Sequence, residues 1–132
     1  MPLNACRAAV GRLPGRRKRP VADGSPPGRE PRTWQYVLVT EGQELPENVL
    51  AAYERAARTG FRLSCEADVG RLLAALAAAV PGGGRVLEIG TGVGVGLAWL
   101  VHGLGARQDV EVVTVELDDA VQQTALSARC PP

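Results

Sequence analysis

The sequence predicts an α/β fold built around one βαβ unit, behind two helices and a disordered basic tail. Two short β-rich runs, "RVLEI" and "VEVVTVEL", flank a glycine turn and an apolar helix. Two patterns of helical period precede that unit, and the start of the chain lacks large apolar residues. Strand, turn, helix and strand in this order predict parallel strands joined by a right-handed crossover.

The tail covers residues 1–33 and is rich in Pro, Gly and Arg, as in "GRLPGRRKRPVADGSPPGREPR". Residues 1–34 hold eight Arg or Lys against two acidic residues, a net charge of +6, whereas the remainder holds seven against twelve, a net charge of −5. Such a composition buries too little apolar surface to fold. It also lacks the dense lysines and interleaved aromatics of a nucleic-acid arm, and its prolines break an amphipathic transit helix. We interpret it as a tail without a specific role or as coding sequence upstream of the true start, and predict no nucleic-acid partner.

Composition excludes several other classes of protein. The 132 residues, 45% of them hydrophobic, suit a single domain, which we place at residues 34–132. Cys6, Cys65 and Cys130 stand far apart, which predicts neither a metal site nor a disulfide framework and fits a reducing cytoplasm. No apolar run approaches the roughly 20 residues of a membrane span. We therefore predict a cytoplasmic protein that does not associate with a membrane.

The first ordered elements are two predicted helices. Before them, "TWQYVLVT" at 33–40 has the composition of a strand but is too short to exclude a helix start, so its type stays open. "LPENVLAAYERAARTG" carries Pro46 in its first turn and ends at Gly60. Its expected apolar stripe is Val49, Leu50, Tyr53 and Ala57.

The second helix follows in "SCEADVGRLLAALAAAV" and ends at "PGGG". Ser64 is the expected N-cap, with Glu66 and Asp68 in the first turn. Apolar residues at helical spacing predict its buried face. They are Val69, Leu72, Leu73, Leu76, Ala77 and Val80.

The βαβ unit then runs from "RVLEI" through "GTGVGVGLAWLVHGLG" to "VEVVTVEL". We expect its helix to end at Gly103 or Gly105 and to bury Trp99 and Leu100, while His102 is a partly exposed helix residue. A last helix, "DDAVQQTALSAR", should take Asp118 or Asp119 as its cap.

The glycine turn "EIGTGVGVG" offers a helix N-terminus and close backbone approach to a ligand. A phosphate-binding P-loop requires GxxxxGK[ST], but the single lysine of the chain is Lys18, in the tail. The dinucleotide fingerprint GxGxxG requires a third glycine or alanine where this chain has Val95 or Leu97. Neither pattern fits.

The pattern Glu88-x-Gly90-x-Gly92-x-Gly94 instead resembles motif I of the class I S-adenosylmethionine-dependent methyltransferases, written (D/E)xGxGxG. That family also places an acidic residue at the end of the second strand, where Glu116 stands in "VTVELDD". A carboxylate there can accept both ribose hydroxyls. The resemblance implies a Rossmann-like sheet with S-adenosyl-L-methionine as cofactor. The implied cofactor-binding residues are Glu88, Gly90, Thr91, Gly92, Val93, Gly94, Glu116 and Leu117.

Within this class, residues 34–126 most resemble the small O-methyltransferases related to the catechol and caffeoyl-CoA enzymes. The resemblance implies methyl transfer to an oxygen of a small-molecule acceptor, by in-line displacement at the sulfonium. Members of that family continue through several more strands, whereas "SARCPP" begins none. We therefore expect the N-terminal half of the fold only, a fragment that is inactive by itself. An uncovered parallel sheet also predicts a chain that is marginally stable or aggregation-prone.

Two other functions stay open: a nucleotide-binding regulatory module that pairs with a partner chain, and an NAD(P)-binding Rossmann domain. The sequence assigns no catalytic residue, no general base and no metal ligand, and it leaves a homo-oligomer open.

Overall fold

The computed structural model describes residues 44–127. The predictions for the tail at 1–33, for "TWQYVLVT" at 33–40 and for the segment beyond residue 127 lie outside the described residues. The described elements are α1 (Glu47–Thr59), α2 (Ala67–Ala78), β1 (Arg85–Ile89), α3 (Val95–Leu104), β2 (Glu111–Val115) and α4 (Asp119–Leu126). The combination of helices with a small parallel sheet confirms the predicted α/β fold class.

Helix α1 begins and ends close to the predicted residues. Pro46 precedes its first residue, and Gly60 ends it with a left-handed φ of 67°, which only glycine adopts without strain. The predicted stripe is partly wrong, because Leu50 and Ala57 are exposed. Small residues take the inward positions and let α1 approach the glycine turn and α3 closely. The buried face is Val49, Ala52 and Ala56, with Tyr53 half-buried.

The start of α2 corrects the assignment of Ser64. The N-cap residue is Glu66, in an extended conformation and without a side-chain hydrogen bond to the helix. Ser64 therefore lies two residues before the cap, and its Oγ is buried without a hydrogen-bond partner. Asp68 lies in the first turn, as predicted, and forms an ion pair with Arg71.

The buried face of α2 also differs from the prediction. Its larger side chains Val69, Leu72 and Leu76 are exposed, and Leu72 is 59% exposed. The reason is close helix packing, since a Cβ at Gly70 would overlap the ring of Trp99, and one at Gly103 would overlap the Ala74 carbonyl. Small residues therefore occupy the closest contacts of α2 with α3, and Val69, Leu72 and Leu76 remain outside. Two residues of the predicted face are confirmed, since Ala77 is buried and Leu73 packs against the core.

The sheet has the predicted parallel pairing, with Glu88 opposite Thr114 and Ile89 opposite Val115. Alternation along the strands gives it two unlike faces. Val86, Glu88, Val112 and Thr114 point toward the core, where Val112 packs with Leu100 and Leu104 of α3. On the other face, Leu87 is 62% exposed and Ile89 is 79% exposed. Within residues 44–127 that face is uncovered, as the sequence predicts.

Helices α3 and α4 follow the predictions closely. Gly105 ends α3, and Trp99 and Leu100 are buried on its inward side. His102 is exposed, with its ring edge-to-face against Trp99 at a centroid distance of 6.1 Å. Asp118 caps α4 by accepting hydrogen bonds from the amides of Ala120 and Val121.

Candidate functional site

The glycine turn joins the end of β1 to the start of α3. Its backbone conformation explains why glycine occurs at alternate positions. Gly90, Gly92 and Gly94 have φ values of 89°, 56° and 89°, all in the left-handed region. Side chains with a Cβ are strained in that region. Glycine at every second position is therefore already required by the path of the backbone, before any ligand is considered.

Hydrogen bonds from β2 fix the first part of this turn. The amides of Gly90 and Thr91 both donate to the carbonyl of Val115, at 2.8 and 3.1 Å. The amide of Gly94 donates to the carbonyl of Thr91 at 2.9 Å and closes the turn. The turn therefore depends on the end of β2 as much as on β1.

Glu116 directly follows β2 and reaches across to the turn. Its Oε2 accepts the Gly92 amide at 2.8 Å, while Oε1 accepts the amides of Leu117 and Asp118 at 2.7 and 3.0 Å. Burial raises the pKa of Glu116, but the three amide donors outweigh it and the net pKa lies below the ordinary value. A half-buried, ionised carboxylate thus stands beside the second glycine.

Glu88, the last acidic residue of β1, lies on the covered face of the sheet. Its Oε2 accepts the hydroxyl of Thr114 at 2.6 Å, and its Oε1 lies against Gly96 in the first turn of α3. Burial raises the pKa of Glu88, the Thr114 hydroxyl lowers it, and the charge of Glu116 raises it, so that the net pKa is raised. Glu88 is therefore held inside the fold, beneath the helix.

Thr114 connects Glu88 to the turn. The Oγ atoms of Thr114 and Thr91 lie 2.5 Å apart, and both residues are buried. Because Thr114 donates its single hydroxyl proton to Glu88, Thr91 must be the donor to Thr114. The side-chain hydrogen bonds from Thr91 to Thr114 and from Thr114 to Glu88 therefore connect the turn, β2 and β1.

The structure brings some of the residues predicted for the site together and separates others. Glu116 and Gly92 are in direct contact, and Thr91 reaches Glu88 through Thr114. The side chain of Val93 is 2% exposed and packs in the core with α1, and that of Leu117 is 66% exposed. No contact in the structure tests whether these residues bind a cofactor, so that assignment stays a prediction.

Three residues at the turn were missed by sequence reasoning. Thr114 is one, although a polar residue at an inward position of an apolar strand is a usable signal. Arg55 of α1 is another, and its Nε donates to the Val93 carbonyl at 2.8 Å. The third is Phe61, whose ring lies 2.8 Å from where a Gly92 Cβ would stand. No local pattern distinguishes Arg55 or Phe61 from ordinary helix and loop residues.

Residues 44–127 contain neither a candidate metal centre nor a membrane-spanning helix. Among residues 44–127, no group of three or more His, Cys, Asp or Glu side chains is arranged to hold a metal ion. None of the helices in that range is long and apolar enough to cross a membrane.

Comparison with known proteins identifies a structural neighbour of this chain. No protein-family model matches this chain, and no curated protein matches it. A solved crystal structure, described as "a putative O-methyltransferase from Klebsiella pneumoniae", is similar at a TM-score of 0.56 and 27% identity over 68% of this chain. The match covers 40% of that protein, so this chain corresponds to less than half of its length. The likeness supports a methyltransferase-like fold.

Proposed function

We propose that this chain carries the cofactor-binding half of an S-adenosyl-L-methionine-dependent methyltransferase that acts on an oxygen of a small-molecule acceptor. The observation that carries the proposal is the Glu116 carboxylate, held ionised beside Gly92 at the carboxyl ends of two parallel strands. Ligands of open α/β sheets bind at that edge. The O-methyltransferase described for the similar structure supports the reaction class.

The residues present fit this cofactor. Glu116 has two carboxylate oxygens with about four acceptor positions, of which three accept main-chain amides. Released from Gly92, Oε2 could accept ribose hydroxyls, while the freed Gly92 amide would face the ligand. No atom of residues 44–127 lies within 4 Å of where a Gly90 Cβ would stand, so the described part of the chain leaves one side of the turn open.

In the reaction, S-adenosyl-L-methionine supplies an electrophilic methyl group on a sulfonium. The protein's part is to hold the nucleoside end through Glu116 and the turn, so that the acceptor oxygen attacks in line. S-adenosyl-L-methionine contains no phosphate, which suits a site with an acidic residue because a carboxylate repels phosphate. The described residues also include no lysine that could bind a phosphate. We assign no residue as general base.

Calorimetric titration separates this proposal from a nicotinamide-binding domain. We expect the chain to bind S-adenosylhomocysteine, the product without the transferable methyl, and to bind NAD at least about 30-fold more weakly, a difference of about 2 kcal/mol. The same ligand should raise the melting temperature, because it binds only the folded chain. Tighter binding of NAD, or no binding of S-adenosylhomocysteine to the folded chain, would contradict the proposal.

A further inference from the structure

Arg55 lies on α1 and reaches the glycine turn with its side chain. Its Nε donates to the Val93 carbonyl at 2.8 Å, and its Nη2 lies 3.3 Å from where a Gly94 Cβ would stand. Val93 is the residue between the second and third glycines. A long side chain from another helix therefore contacts the centre of the turn.

The position is electrostatically unfavourable for an arginine. Gly94 is the N-cap of α3, where the helix dipole places partial positive charge. Burial and the neighbouring Arg58 both lower the pKa of Arg55. Within residues 44–127 no carboxylate forms an ion pair with it. Neither an ion pair within the described residues nor the helix dipole accounts for the guanidinium, so it calls for another reason.

That reason is the peptide between Val93 and Gly94. Its carbonyl lies outside the α3 hydrogen-bond ladder, which begins with Ala98 donating to Gly94, and it belongs to a buried residue. Arg55 satisfies this carbonyl, while the amide of the same peptide donates to Thr91. The peptide is thus held on both sides.

We propose that Arg55 is a positioning residue that pre-orders the glycine turn for cofactor binding. The inference rests on the proposed function and deepens it. Glycines on both sides of Val93 give the free turn more conformational freedom than any other residues would. When a ligand binds a flexible turn, the free energy needed to order the turn reduces the affinity. Arg55 removes that cost without touching the cofactor.

The test compares Arg55→Met, Arg55→Lys and the control Arg58→Met in the full chain. Methionine keeps most of the apolar stem of Arg55 but has no donor, and lysine keeps the charge with a different donor geometry. Arg58 is on the same helix, its side chain is 67% exposed, and its partner Glu54 lies 3.9 Å away. Removing Arg58 therefore removes the same charge without a contact to the turn.

Two readouts separate positioning from simple structural support. In the free protein, Arg55→Met should speed hydrogen exchange of the Gly92 and Gly94 amides about tenfold and leave the Leu100 amide unchanged. Under conditions where each variant is fully folded, Arg55→Met should weaken S-adenosylhomocysteine about five- to tenfold, as expected for one lost hydrogen bond. Arg55→Lys should fall between, and Arg58→Met should match the wild type.

The outcomes decide the two proposals separately. Unchanged exchange at the turn, or faster exchange with unchanged affinity, overturns the role of Arg55. A wild-type chain that is folded but does not bind S-adenosylhomocysteine overturns the proposed function, while the exchange data still decide whether Arg55 orders the turn. If Arg55→Met does not fold, Arg55→Lys supplies both readouts.

Discussion

The ends of β1 and β2 meet the same glycine turn, yet they place their glutamates in opposite surroundings. Glu88 is enclosed beneath α3 with one hydroxyl donor, and its pKa is raised, chiefly by burial. Glu116 is at the rim with three amide donors, and its pKa is lowered despite partial burial. Although the two glutamates have similar positions on paired strands, Glu88 is therefore suited to a structural role and Glu116 is suited to accept a ligand.

The two pKa shifts oppose each other in their effect on stability. Because the folded-state pKa of Glu88 is raised, its contribution is most favourable below the unfolded pKa and declines as pH rises from there through the folded pKa. Because that of Glu116 is lowered, its contribution is present above the unfolded pKa and is lost as pH falls through the folded pKa. Substitutions at the turn and at the two glutamates should therefore differ in the size, sign and pH dependence of their effect on stability.

Alanine at Gly92 should be the most damaging change at the turn. It combines a left-handed φ of 56° with a Cβ placed 2.8 Å from the ring of Phe61. Backbone strain and overpacking together should cost about 2–4 kcal/mol in urea unfolding. Gly90→Ala also requires a positive φ, of 89°, but meets open space among the described residues, and should cost about 1–2 kcal/mol. Equal losses would show that Phe61 does not press on the turn.

Thr114→Val should disconnect Glu88 from the turn. The change keeps the shape but leaves the Glu88 carboxylate and the Thr91 hydroxyl without their partner. A lost buried hydrogen bond of this kind costs about 1–3 kcal/mol. A buried carboxylate without a hydrogen-bond donor is harder to ionise. The loss in the free energy of unfolding, measured with urea, should therefore be larger at pH 8 than at pH 4. A loss independent of pH would contradict the assigned role of Glu88.

Glu116→Gln should destabilise the folded chain modestly at neutral pH. The amide retains one acceptor oxygen but loses the charge that the amides of Gly92, Leu117 and Asp118 stabilise. The difference from wild type in thermal unfolding should shrink as the pH falls below the ordinary glutamate pKa and through the lowered folded-state pKa, because the wild-type carboxyl then becomes protonated too. A constant difference across that range would mean that the charge of Glu116 is irrelevant to folding.

Glu88→Gln should have the smallest effect and the opposite sign. Glutamine can still accept the Thr114 hydroxyl, and it removes a charge that burial opposes. We expect a slightly higher melting temperature than wild type at pH 8 and convergence toward pH 4. A lower melting temperature at pH 8 would place Glu88 among the residues whose charge stabilises the fold.

The sequence predicted the order and type of the elements well, because period and glycine placement are local signals. Both strands, the parallel pairing, the Asp118 cap and the end of α3 at Gly105 appear as expected. The buried faces of α1 and α2 were less predictable. Hydrophobicity favoured Leu50 and Leu72, whereas close packing against α3 and the turn selected Ala52, Ala56 and Gly70.

The sequence indicated candidate site residues but not the contacts that they make. The spacing of the glycines and the acidic residue after β2 drew attention to Glu88 and Glu116, but no pattern distinguishes their opposite surroundings. Those depend on tertiary neighbours, such as Thr114 across the sheet and the Gly92 amide across the turn. The contact of Arg55 with Val93 joins residues 38 positions apart and leaves no local trace in the sequence.

The most direct test is titration of S-adenosylhomocysteine into the wild type, Glu116→Gln and the control Glu111→Gln. Glu111 lies at the opposite end of β2 and pairs with Arg85, so its variant loses a carboxylate from the same strand away from the turn. We predict binding by the wild type and Glu111→Gln, with affinity reduced about 30- to 100-fold in Glu116→Gln, as for a lost charge-assisted pair of hydrogen bonds. Equal affinity of Glu116→Gln and wild type would contradict the account.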